Sequence, residues 1–377
     1  MRIVVVGAGV IGCAVAFECA RRGARVQVLD PRRPGRGATC ASAGILAPYI
    51  EGHSPELRAL GVQGMAAYEP FLAALHAAGA EPPEYRRAGT LQAAFDDEGA
   101  RDLTELARLL AEAEVDHRLM DGASARSLEA GLSNRVITAL EIPAHGYVSP
   151  DGLMAALVDG ATRLGAVFSV ARVTGVSGGP TPRVETEGDT VDADAVILAA
   201  GSWVSELPTS IDSSHQPPST VRTNLSRQSV IRPIRGQLLH LKSCATIASR
   251  VLWGPGCYIV PRRDGTVLVG ATVEDVGFDE RATLGGVRAL VDAAFALAPG
   301  LDAANLDEVR VGLRPATADE LPIIGPSATM PQVFYAAGHY RSGVLLAPLT
   351  ASLVAGLVLD GLAAPELDAL RPGRFGL

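Results

Sequence analysis

Hydrophobic positions along this chain gather into short β-branched runs separated by longer, helix-like stretches. Residues 2–6, "RIVVV", form a continuous apolar run of the kind found in a parallel strand buried on both faces. "GAGVIGCAVAFECARRG" follows as a glycine turn and a helix stopped by Gly23, and "ARVQVLD" is a second strand ending at Asp30. Together they predict a βαβ unit. Further along, the pattern predicts helices around 56–78 and 100–114 with a strand at 89–95 between them, a helix and strand within 151–176, and a buried strand at 192–201. "GQLLHL", "CYIVPR" and "TVLVGATV" read as antiparallel strands of a second sheet, followed by a helix at 286–300, a strand at 332–338 and a last apolar helix. Residues 207–229 differ sharply, being polar and rich in Ser, Thr and Pro, and predict a long mobile loop. No internal repeat is evident. Strand-helix-strand units at both ends and in the middle, with meander-like strands between them, predict a nucleotide domain assembled from separate segments and interleaved with a β-rich domain.

The length of 377 residues suits two domains with substantial cores, and 48% apolar with 20% charged residues marks a globular chain. A net charge of −8 argues against a nucleic-acid partner. The five cysteines, Cys13, Cys19, Cys40, Cys244 and Cys257, are odd in number and form no CxxC pair, so neither a disulfide framework nor a metal site is expected. A reducing, cytoplasmic setting is the expectation. Glycines interrupt the N-terminal apolar run and no small-residue cleavage site follows, which argues against a signal peptide. The run from Val344 to Leu359 contains Pro348, Thr350 and Ser352 and is shorter than the roughly 20 residues that span a bilayer, so it is expected inside the protein.

Gly7, Gly9 and Gly12 spell G-x-G-x-x-G directly after a strand and at the start of a helix. Gly7 makes the tight turn, Gly9 lets a pyrophosphate approach the backbone, and Gly12 lets the helix pack close to the sheet. The helix start offers N–H donors and a partial positive charge. Asp30, at a strand end, is placed to accept hydrogen bonds from an adenosine ribose. The fingerprint alone leaves NAD and FAD both open. "GRGATCASAGILAPY" (35–49) is rich in small residues that let backbone lie against a flat ligand. Near the other end, Arg341 stands where the last helix begins. Helix starts favour anions, so a cation there is expected to face one.

"GRGATCASAGILAP" after such a start resembles the D-amino-acid oxidase superfamily of flavoproteins. "CYIVPRRDGTVLVGAT" (257–272), "VGLRPATADELPIIG" (311–325) and "FYAAGHYRSGVLLAPLT" (334–350) strengthen the resemblance, and within the superfamily they are most similar to the glycine oxidases of thiamine biosynthesis. The similarity runs from Met1 to about Gly361, weakens over 50–140 and fails over 207–229. It implies an α/β fold with a Rossmann-like FAD-binding domain and a β-rich α+β substrate-binding domain (the DAO, or glutathione-reductase-like, fold). Residues 1–85, 144–206 and 310–377 are expected to form the first, 86–143 and 207–309 the second.

The resemblance also implies site residues. Arg314, in "GLRP", matches the family's carboxylate-binding Arg, with Tyr258 assisting, and Arg341 borders the substrate side. The implied FAD contacts are Gly7, Gly9, Val10, Ile11, Gly12, Asp30, Pro31, Ala38, Thr39, Ala43, Gly44, Ile45, Val173, Gly201 and the turn His339, Tyr340, Arg341, Ser342, Gly343, Val344 and Leu345. His339 is expected to contact flavin through its backbone and not to act as a base. Sarcosine oxidases attach flavin to a Cys in the segment matching 311–325; none lies there, so non-covalent FAD is expected. The implied reaction takes glycine or a related small amine or D-amino acid to an imine, then to glyoxylate and ammonia, with oxygen reduced to hydrogen peroxide. The implied assembly is a homo-oligomer, dimer or tetramer. A dehydrogenase using another electron acceptor, or the flavin subunit of a multi-subunit amine dehydrogenase, is the alternative.

Overall fold

A computed structural model of the chain describes residues 1–51, 54–210, 230–243 and 247–377. Its first sheet has six strands in the order Ile323–Pro326, Val333–Ala337, Ala195–Leu198, Arg2–Val6, Arg25–Asp30 and Val167–Val170. All neighbours are parallel except the first pair. The alternation within "RIVVV" sorts its side chains. Ile3 and Val5 pack into a core with the helices, whereas Val4 and Val6 pack on the opposite face with Val173, Val176 and Val184 of a small four-stranded sheet. On the helical face, Val10–Arg21 packs against Pro150–Arg163 and the last helix, Gly343–Asp360. That last helix is long and apolar enough to cross a membrane by length and composition, with a mean hydropathy of 1.9, but most of it is buried inside the protein. Helix Pro55–Ala66 crosses it closely because Gly64 has no side chain: a Cβ there would stand 2.7 Å from the Leu345 carbonyl oxygen.

The second sheet has eight strands in the order Asn305–Ala316, Arg232–Lys242, Thr266–Gly270, Cys257–Pro261, Val251–Gly254, Thr90–Ala94, Thr138–Ile142 and Arg118–Asp121. Only Val251–Gly254 and Thr90–Ala94 pair in parallel. Helix Leu284–Leu297 covers one face through Leu290, Ala294 and Leu297. Strand Asn305–Ala316 runs across the expected domain boundary at residue 310, because its whole length pairs with Arg232–Lys242. Its far end meets the turn Ala38–Ala41, where Gly312 makes room: a Cβ on Gly312 would lie 2.9 Å from Ala38 Cα. Of the stretch expected as a mobile loop, Thr209–Ser210 is a short strand parallel to Val173–Ser177, and 211–229 lies outside the described residues. Cys244 lies outside them as well.

Candidate active site

A cavity of about 830 Å³ runs between the two sheets. At one end the strand Arg2–Val6 delivers Gly7, whose φ of +110° and close approach to Ala199 O (2.4 Å from a Cβ placed on it) admit no side chain. Helix Val10–Arg21 then starts at Gly9, which has no side chain to cap it, and its first turn borders the cavity through Val10 and Ile11. Thr39 Oγ1 accepts from Val10 N at 3.1 Å. The Asp30 carboxylate accepts from Ala8 N and Arg32 N, both at 2.8 Å, which fixes it at the cavity wall. Arg32 reaches across to Glu280 at 2.9 Å and lies over the Trp203 ring, tying the two sheets' loops together beside the cavity.

At the other end, three side chains from distant segments converge. Arg314 projects from strand Asn305–Ala316 and donates to Thr272 O at 3.0 Å. It fits only because Gly236, on the neighbouring strand, lacks a Cβ that would otherwise stand 2.4 Å from both terminal nitrogens. Tyr258 comes from strand Cys257–Pro261, with its hydroxyl tucked over Gly270. Burial pushes the phenol up to about 12 against the pull of Arg314, so the hydroxyl stays protonated and can donate. Arg341 precedes the last helix, and its Nε is buried without a partner among the described residues. The last helix starts behind Ser342 with no side-chain cap, giving the cavity a second helix N-terminus at Gly343 and Val344.

Of the sequence-predicted positions, Gly7, Gly9, Val10, Ile11, Asp30, Pro31, Ala38, Thr39, Ala43, Gly44, Ile45, Val173, Gly201, Tyr258, Arg314, His339, Tyr340, Arg341, Gly343 and Val344 all line this one cavity. Three do not. Gly12 spaces the helix from the strand, since a Cβ on it would meet Gly7 O at 1.9 Å. Ser342 is buried at the cap of the last helix, and Leu345 turns away to pack on Gly61. His339 is buried, its Nε2 lies 3.0 Å from Thr350 Oγ1, and burial lowers its pKa to about 3, so it does not hold a proton near neutrality. Sequence reasoning missed Glu51, which lines the cavity from the end of the short helix Pro48–Glu51. Burial raises its carboxyl to about 7, opposed by Arg341 and Arg314. It also missed Gly236 and Trp253. The last lines the cavity with its ring 5.3 Å from that of Tyr258.

Comparison with known proteins places these features. The family described as DAO, FAD dependent oxidoreductase, matches residues 2–357. A glycine oxidase from Geobacillus kaustophilus is 31% identical over 94% of this chain and 92% of its own. Its crystal structure superposes with a TM-score of 0.89 over 98% of both chains. An iminodiacetate oxidase from Chelativorans sp. BNC1 superposes with a TM-score of 0.86 at 28% identity, covering 98% of this chain and 99% of that one. The bifunctional protein ThiO/ThiG of Synechocystis sp. is 30% identical over 99% of this chain, which spans about half (54%) of its length. The donor set fits an FAD. The first helix start and the glycine turn suit a pyrophosphate, Asp30 suits a ribose, and the second helix start suits the electron-rich end of a flavin ring.

Proposed function

The chain belongs to the DAO family of FAD-dependent oxidoreductases, and from that premise we propose that it oxidises glycine and related small amines, giving an imine that hydrolyses to glyoxylate and ammonia. The observation that carries this is the convergence of Arg314, Tyr258 and Arg341 on one cavity wall, beside the N-terminus of the last helix. Arg314 is a planar, permanently charged donor suited to a bidentate carboxylate grip. The Tyr258 hydroxyl adds a third donor, and the Arg341 guanidinium adds positive charge on the same cavity. Held by its carboxylate, the substrate has its α-carbon and amine positioned without a dedicated base, and positioning of this kind supplies most of what an amine oxidation asks of the protein. Bound FAD, held non-covalently, would supply the two-electron acceptor, with oxygen as the oxidant that would regenerate it and be reduced to hydrogen peroxide. The chain's own contribution there is the uncapped start at Gly343, whose N–H groups and dipole stabilise negative charge.

The likeness to glycine oxidase and to ThiO/ThiG supports a role in supplying the imine for the thiazole of thiamine. We assign 1–85, 144–206 and 317–377 to FAD binding and 86–143 and 207–316 to the substrate side, keeping strand Asn305–Ala316 whole. A cytoplasmic homo-oligomer completes the proposal. The test is anaerobic. Glycine added to the purified yellow protein should bleach the flavin, and air should restore the colour with one peroxide per cycle. Bleaching that air does not reverse assigns a dehydrogenase instead. A flavin that glycine never bleaches refutes the proposal.

A further inference from the structure

Glu51 has no part in gripping a substrate carboxylate, yet it shares the cavity wall with Arg314, Arg341 and Tyr258. Among the described residues, no hydrogen bond or ion pair joins its carboxyl to a neighbour, although both guanidinium groups act on its charge. With Glu51 ionised, above about pH 7, the two guanidinium groups and one carboxylate that line this end of the cavity sum to about +1, the charge that one substrate carboxylate neutralises. A second carboxylate would make the site net negative, at a place where burial already disfavours the charge of Glu51. The fold itself does not force this limit, since it is shared by an iminodiacetate oxidase, whose named substrate carries two carboxylates on one amine.

We propose that Glu51 is a specificity-determining residue that confines this site to amines with a single carboxylate, by electrostatic rejection of a second. The role rests on the amine-oxidation function proposed above. The groups that act with Glu51 are Arg341, Arg314 and Tyr258; His145 stacks against Tyr49 of the same short helix, and Glu320 acts on Arg341. His145 is neutral, because burial holds its pKa to about 3, and Tyr258 is protonated, so Glu51 is the group in this set that changes charge near neutrality. Its carboxyl, raised to about 7, gains a proton as pH falls through that value, and rejection of a second carboxylate weakens accordingly.

The experiment uses the full-length, FAD-loaded protein and reads ligand binding from the flavin absorbance spectrum. Acetate and malonate serve as one- and two-carboxylate ligands, with wild type and Glu51→Gln titrated at about pH 8 and about pH 6. In wild type at the higher pH, malonate should bind more weakly than acetate. In Glu51→Gln the ratio of malonate to acetate Kd should fall by about tenfold or more, as expected for removing one charge at close range in a partly buried site. At the lower pH the two proteins should converge. Malonate itself takes up a proton at about pH 6, so only a pH change in the ratio that the neutral variant lacks counts, and Glu51→Ala, which removes the same charge, serves if Glu51→Gln does not fold. A ratio unchanged within twofold by substitution overturns the proposal, as does wild type binding malonate as tightly as acetate at pH 8. Glycine turnover by wild type, measured alongside, separates the two claims. Its absence with the ratio shift intact refutes glycine oxidation and leaves the charge filter standing.

Discussion

Gly236→Ala tests whether the placement of Arg314, and not merely its presence, sets activity. Gly236 lies on strand Arg232–Lys242 beside the strand that carries Arg314. A Cβ at 236 would stand 2.4 Å from Arg314 Nη1 and Nη2 and 2.5 Å from Cζ, whereas ordinary contact begins near 3.4 Å. The guanidinium must therefore retreat by about 1 Å (3.4 − 2.4), which disturbs its 3.0 Å bond to Thr272 O. The clashing atoms are the tip of a flexible side chain, so the fold should lose less than about 1 kcal/mol. A misplacement of about 1 Å in a positioning group can cost about 100-fold in rate, or ~2.7 kcal/mol of transition-state stabilisation. The assay is peroxide-coupled kcat/KM for glycine, with FAD content and Tm measured on the same preparation. A kcat/KM within threefold of wild type would refute the reasoning. So would a loss of activity that merely tracks loss of FAD or of folded protein.

Tyr258→Phe removes one donor to the carboxylate and should lower kcat/KM about tenfold, the effect of one hydrogen bond to a charged group, with the flavin spectrum of the ligand-free protein unchanged. Gly12→Ala places a Cβ 1.9 Å from the Gly7 carbonyl oxygen, a backbone clash with no flexible escape. It should cost more than ~3 kcal/mol, seen as a lowered Tm and protein recovered without FAD. Glu51 has a folded-state pKa of about 7, above that of an unfolded glutamate, so the folded state binds its proton more tightly. Its contribution to stability is therefore present at low pH and lost as pH rises from about 4.5 through 7. Thermal melts should show Glu51→Gln exceeding wild type in Tm at pH 8, with the gap closing towards pH 5. A gap that does not change with pH would contradict the assignment.

The dinucleotide half of the site was legible because its chemistry is local. Glycine spacing, a strand before it and a helix after it are all visible within thirty residues, and the structure joins Gly7, Gly9 and Asp30 at one cavity end. Arg314 and Tyr258 were reached through family resemblance, whereas Arg341 stood out by its place at a helix start; no periodicity in the chain says that positions so far apart meet. Glu51 carried no signal. It is one acidic residue after "APYI", and the guanidinium groups that act on it, Arg314 and Arg341, arrive more than 250 residues later. Gly236 was equally silent, because a glycine in a strand reveals its purpose only when the side chain that fills its space is known. The parallel pairing of Val251–Gly254 with Thr90–Ala94 also escaped, since alternation within a strand says nothing of its partner.

The order of the six-stranded sheet bears on how the protein comes into being. Strand Arg2–Val6 is made well before its partners on one side: its neighbour is Ala195–Leu198, and the next strand over is Val333–Ala337. The helix that lies against its glycine turn ends at Asp360. Contacts of such long sequence separation form slowly, after large loops have closed. The nascent chain therefore carries its nucleotide motif without a finished site to put it in until the strand Val333–Ala337 and the helix after it have been made. A protein cut before residue 333 would retain every glycine of that motif and still lack the wall that makes it useful. Cofactor capture thus waits on a strand and a helix made more than 300 residues after the motif, and it doubles as a check that both have been threaded correctly.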